Sequence, residues 1–298
     1  QRPMCIRDRF DGATTISPEL LYFSDVLKFK QNFMQFEGNI LKMRNELATP
    51  VKYTLPIGEN QIEMNALIGG QIKMTFKGQI NCISCGKRTK TSFSQGFCYN
   101  CLQTAPEASE TVIRPELSKS QFGMARDMEW AEKHDLIDHY VYLALSSQVK
   151  VGVTRNHQIP TRWIDQGASS AIKLAITPNR HIAGVIEVFL KKHFTDKTNW
   201  RAMLKNEVAP GVDLLQEKQK VFDLLPAELR KYIDSENEVT NIEYPVEQFP
   251  TKIGSVGFDK LPEIEGKLAG IKGQYLLFDD NRVLNIRKHN GYFLRVEI

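Results

Sequence analysis

No stretch of this 298-residue chain comes near the roughly 18 uninterrupted apolar residues that a membrane-spanning helix requires. The densest early run, Leu20-Leu21-Tyr22-Phe23, is soon broken by Asp25 and Lys28, which argues against both a span and a signal-peptide core. Low-complexity tracts are missing too, and 42% hydrophobic with 25% charged residues reads as globular rather than disordered. Cysteine is scarce, at five residues, and nothing indicates an oxidising compartment, so thiols are expected rather than disulfides. A cytoplasmic location is the expectation. The length allows two or three cores.

Charge of one sign is also nearly lacking overall, at +4, but its distribution is uneven. Residues 140–205 carry a surplus of seven positive charges, and residues 206–263 a surplus of six negative ones. A basic block beside an acidic one suits a phosphate-bearing partner at the first. Ordinary solvated surfaces that neutralise each other are the competing reading.

Four of the five cysteines fall as two C-x2-C hooks twelve residues apart: Cys82, Cys85, Cys98 and Cys101. Zinc takes four soft ligands in a tetrahedron, and paired short hooks supply them without strain. All four positions are thiols, so no ligand site is left for water, and a structural zinc is expected rather than a catalytic one. Lys87, Arg88 and Lys90 with Phe93, Phe97 and Tyr99 would suit nucleic acid, or the aromatics form the small core such a module needs. The six histidines show no metal spacing; His134 and His139 are five apart and read as surface or structural.

Residues 1–33 have no periodicity and read as a leader, non-native or disordered, in which the odd Cys5 carries no function. Residues 34–81 alternate as strands, with Gly69-Gly70 as a turn signal. Residues 120–138 read as an amphipathic helix. Tyr140-Val-Tyr-Leu-Ala and Gln148-Val-Lys-Val-Gly-Val form two strands about a turn at Ser146-Ser147, a helix follows Pro160, and Ala171–Thr177 extends as a third strand. Ala183–Phe194 is a strong helix, and residues 213–233 are another, interrupted at Pro226. From Ile264 the chain alternates again, with turns at Asp279-Asp280-Asn281 and Asn290-Gly291.

Within residues 140–206 the order of motifs resembles the GIY-YIG nuclease core. Tyr142 closes the first strand's triplet, Lys150-Val151-Gly152 stands where Tyr-Ile-Gly would, Arg162 where the helix arginine would, and Glu187 where the metal glutamate would. From about Met34 the chain also resembles a bacterial domain-of-unknown-function family. That family joins a four-cysteine module to KVGVTR, RWIDQGA and TNWR segments, all present here. The expected fold class is therefore α+β. A small antiparallel β unit with the zinc hairpin spans 34–110 and a GIY-YIG-like α/β core 120–206. A helical, acidic connector covers 207–263, and a small C-terminal β unit 264–298.

The nuclease resemblance implies a phosphodiester substrate, DNA or RNA, with Mg²⁺ or Mn²⁺ held by Glu187. Arg162 would neutralise charge developing on phosphate. Tyr142 would orient or deprotonate water, and Lys150 would be a base if its pKa is depressed, or otherwise a phosphate clamp. A catalytically inactive nucleic-acid-binding module and a protein-interaction scaffold are the alternatives. In the tail, Lys267, Lys272, Arg287, Lys288 and His289 interleave with Tyr275, Phe278, Tyr292 and Phe293. That pattern suits single-stranded nucleic acid or a half-exposed sheet.

Overall fold

In the computed structural model the described residues are 34–194 and 199–298; the expected leader, with Cys5, lies outside them. The chain opens with strands β1 (Gln35–Asn39), β2 (Arg44–Glu46), β3 (Lys52–Ile57) and β4 (Asn60–Glu63), then β5 (Gln71–Asn81) and the short β6 (Arg88–Thr89). Helix α1 (Tyr99–Thr104) and a run of 3-10 turns lead to α2 (Met128–His134). The middle of the chain is β7 (His139–Leu145), β8 (Val149–Arg155), α3 (Thr161–Asp165), β9 (Ser170–Thr177) and α4 (Arg180–Leu190). After it come α5 (Trp200–Leu204), α6 (Leu214–Leu224), α7 (Ala227–Arg230) and β10 (Val239–Asn241). The chain closes with β11 (Gly254–Val256), β12 (Glu263–Lys272), β13 (Tyr275–Phe278), β14 (Arg282–Asn285) and β15 (Tyr292–Glu297). The architecture is mixed α+β, with several largely antiparallel sheets.

The two ends of this unit share one sheet, in the order β1-β15-β5-β12-β13-β14-β11, with β6 beside β5. The segments expected as separate N- and C-terminal β units are thus joined by backbone pairing, for example Phe36 with Val296 and Met74 with Ile264. Gly69-Gly70 does turn the chain, but it does not close a hairpin: β4 pairs with β3 in a second sheet, while β5 pairs with β12 and β15. Alternation along a strand specifies which residues face the core, and leaves the partner strand open.

The middle sheet has the order β10-β9-β7-β8. Period-two alternation gives β7 two different faces. Val141, Leu143 and Leu145 pack with Ala183, Ile186 and Leu190 of α4 and with Leu214 and Val221 of α6. Tyr142 and Ala144 join Trp163 and Ile164 of α3 and the core of the large sheet. Each such fully buried Leu or Ile is worth about 1.5–3 kcal/mol relative to exposure.

The helix expected over 120–138 is shorter than its apolar pattern. A 3-10 turn at Ser120–Phe122 ends on Gly123 at φ 73°, and the α-helix begins only where the Asp127 carboxylate accepts from Trp130 N–H. An N-cap carboxylate satisfies an amide that would otherwise be orphaned, which fixes the start at Met128. The helices expected after Pro160, over 183–194 and around Pro226 form as α3, α4, and α6 with α7. No described helix is long and apolar enough to cross a membrane.

Candidate functional site

The cysteine hooks come together on the extension of β5. Cys82 follows the last strand residue, and Gly86 N–H donates back to Cys82 O at 2.9 Å. Cys98 caps α1, its sulfur accepting from Cys101 N–H at 3.4 Å. The four Sγ atoms lie within 4.8 Å of one another, and Cys85 Sγ and Cys98 Sγ stand 3.9 Å apart. A tetrahedron with metal–sulfur bonds of about 2.3 Å has an edge of about 3.8 Å, so one ion fits among them. Burial opposes the Cys82 thiolate, yet N–H groups of Cys85, Cys98 and Ser84 aimed at its sulfur bring the thiol pKa down. Phe97 is buried with Cys82, Cys101 and Ala105 in a satellite core, while Tyr99 is 65% exposed and meets Phe93 edge-on. Of the three aromatics, only Phe97 is fully a core residue. Lys87, Arg88 and Lys90 are exposed.

Tyr142, Lys150 and Arg162 come from one side of the middle sheet, and Glu187 from the helix on its other side. In the β7–β8 hairpin Tyr142 stands opposite Gly152, and Ala144 opposite Lys150, so Tyr142 and Lys150 share a face. The Tyr142 ring lies across Gly152: a Cβ there would sit 2.5 Å from the phenol oxygen. Its hydroxyl donates to Gln166 Oε1 at 3.0 Å, and the Arg162 guanidinium approaches the same hydroxyl. Arg162 and Gln166 are four residues apart at α3, which places both on one side. Tyr142 is fully buried, and burial pushes its pKa up despite the Arg162 charge. Lys150 is 6% exposed; burial and then the Arg162 charge hold its pKa down to about 7.

Glu187 comes from α4, which packs on the other face of β7, and its charge is felt at Tyr142. Its side chain is only 12% exposed, so it is not on the outer face of α4. Burial raises its pKa, although Lys191 Nζ stands 3.5 Å away. One turn earlier a Cβ at Gly184 would run into the backbone of Pro115 and Glu116. That close approach carries Glu116 to the carboxylate of Glu187, where it helps raise the Glu187 pKa. Arg180 anchors the same loop, donating to Thr111 O at 2.7 Å and Val112 O at 2.8 Å. Glu116 Oε2 is buried without a hydrogen-bond partner.

Asp165, three residues after Arg162 on α3, is occupied away from that arginine. It accepts from Lys42 Nζ at 2.7 Å, Asn45 Nδ2 at 2.8 Å and Gln274 Nε2 at 2.8 Å, with 3% of its side chain exposed. Arg162 makes no ion pair among the described residues. Trp163 is 3% exposed and a core residue. Trp200 stacks on Tyr275 at 5.9 Å with Arg201 over it. His139 is fully buried and structural, its Nδ1 paired to Ile137 O.

Gln166 and Glu116 are the site neighbours that motif reading misses. Gln166 was findable from its i, i+4 relation to Arg162. Glu116 was not, because it reaches the site across a long loop.

No curated protein and no solved structure matches the chain. A family model described as a protein of unknown function, DUF2797, matches residues 69–294. That span takes in both cysteine hooks, the middle sheet and the strands from β5 to β14. The chain belongs to this DUF2797 family.

Proposed function

We propose that the protein binds nucleic acid through a phosphodiester site at Tyr142, Lys150, Arg162 and Glu187, and hydrolyses it with a divalent cation. The order hairpin, helix with arginine, strand, helix with glutamate supports the GIY-YIG-like reading. The observation that carries it is Arg162 at the Tyr142 hydroxyl, with Lys150 on the same strand face and close enough to feel the Arg162 charge, and the Glu187 charge felt at Tyr142. The buried, partnerless Glu116 oxygen beside Glu187 fits a cation ligand pair, and Glu187 and Glu116 would hold Mg²⁺ or Mn²⁺. Such an ion would supply charge neutralisation at the phosphate.

With a pKa near 7, Lys150 is half neutral at physiological pH and can accept a proton from an attacking water. Arg162 offers a fork of donors to the phosphate oxygens as negative charge builds. Tyr142 is fully buried and already bonded to Gln166, so it orients Arg162 rather than taking a proton itself. The cysteine quartet holds a structural Zn²⁺: all-thiolate donors select a soft or borderline ion and leave no position for water.

The burial of Tyr142 also favours a second reading, a binding module that does not cut. The two separate by incubating the full chain with labelled single- and double-stranded DNA and RNA plus Mn²⁺. Cleavage of one class, lost in Lys150→Ala, supports hydrolysis. Salt-sensitive binding without cleavage supports the module. No binding at low salt rejects both.

A further inference from the structure

Gln274, in the turn between β12 and β13, ties the terminal strands to α3. Its Nε2 donates to Asp165 Oδ1 at 2.8 Å and Met43 O at 2.9 Å, and its backbone carbonyl accepts from Ile286 N–H at 2.9 Å. Ile286 is therefore held towards α3, and the next residue, Arg287, lies where the Arg162 charge is felt. Arg162 is on the same short helix, three residues before Asp165.

Both guanidinium groups belong to half-buried residues. Neither has an ion pair among the described residues: the carboxylate of Asp165, whose charge Arg287 feels, is bonded to Lys42, Asn45 and Gln274. Like charges gathered in a partly dry place are costly, and a bound anion offsets that cost. Two planar forks suit a tetrahedral oxyanion better than a point charge does.

We propose that Arg162 and Arg287 together clamp one phosphate group of the ligand, so that the last β segment of the chain completes the site. Arg287 is then a binding residue contributed from outside the hairpin-and-helix core. The proposal rests on the phosphodiester reading for the source of the phosphate. The anion site itself does not depend on cleavage.

The test titrates inorganic phosphate into the full-length protein and follows thermal unfolding, because a ligand of the folded state raises the midpoint with concentration. Wild type and Lys288→Gln should show a saturable rise, whereas Arg162→Gln and Arg287→Gln should lose it. Without phosphate, Arg287→Gln should unfold no earlier than wild type, since it removes a like-charge contact. For a short labelled oligonucleotide, Arg287→Gln should weaken binding by about tenfold or more and lower the salt slope by about one. An unchanged phosphate rise in Arg287→Gln, or oligonucleotide affinity within about twofold of wild type, overturns the clamp. If the clamp holds while wild type cuts no substrate, the hydrolytic reading falls and the clamp stands. If Arg162→Gln alone loses binding, the clamp falls and the phosphodiester reading stands.

Discussion

Tyr142 and Gly152 face each other across β7 and β8, and the tyrosine hydroxyl occupies the space that any side chain at 152 would need. The glycine lets a large polar ring lie flat over the sheet and deliver its oxygen to Arg162 and Gln166.

Gly152→Ala should therefore displace Tyr142. Overpacking a buried contact costs about 1–3 kcal/mol, measurable by denaturant unfolding. Phosphate affinity should fall with it, because Arg162 loses its positioning partner. A variant with unchanged stability and unchanged affinity would contradict this relationship.

Asp165 is the polar hub that joins β2, α3 and the β12–β13 turn. Asp165→Ala should remove an acceptor from each of Lys42, Asn45 and Gln274, the last keeping only Met43 O, and destabilise the protein by about 2 kcal/mol or more. Thermal or urea unfolding reads this directly. Lys42 is 41% exposed and can recover water, so the loss comes mainly from the buried amide donors.

Stability should rise with pH on the alkaline side. Lys150 is held down to about 7, and burial holds Lys272 down to about 8, from an ordinary 10.5. Between those values and about 10.5 the unfolded chain carries protons that the folded chain does not, so raising pH favours folding. Lys150→Met should flatten the curve from about pH 7 upward. On the acid side burial lowers His139 to about 4 from 6.5, so stability should fall as pH drops from about 6.5 towards 4. A stability maximum at neutral pH, unmoved by Lys150→Met, would contradict the assignment.

The purified protein should carry about one zinc per chain, by elemental analysis, as four thiolates complete a single ion's shell. Cys98→Ser should lose the metal and expose the Cys82–Thr104 amides to hydrogen exchange, while the middle sheet stays protected. Full zinc content in that variant would contradict the quartet.

Much of this was legible along the chain. The C-x2-C spacing placed four sulfurs that do cluster, and local periodicity located β7, β8, β9 and α4. The joining of β1 and β5 with β12 and β15 was not legible, because pairing between residues some 200 positions apart leaves no local pattern. The same cause hid Arg287: alternation in the tail marked it as basic and interleaved with aromatics, but only the Ile286–Gln274–Asp165 bonds bring it to α3. Glu116 was hidden by a loop of 3-10 turns, whose path is set by Arg180 and Gly184 on a distant helix.

The most direct measurement compares cleavage of a labelled nucleic acid in Mn²⁺ by wild type and Glu187→Gln, with binding followed in parallel. The account predicts that wild type cuts, and that Glu187→Gln is slower by about 100-fold or more while its binding stays near wild type. Cleavage that persists in Glu187→Gln, or a wild type that neither cuts nor binds at low salt, would contradict it.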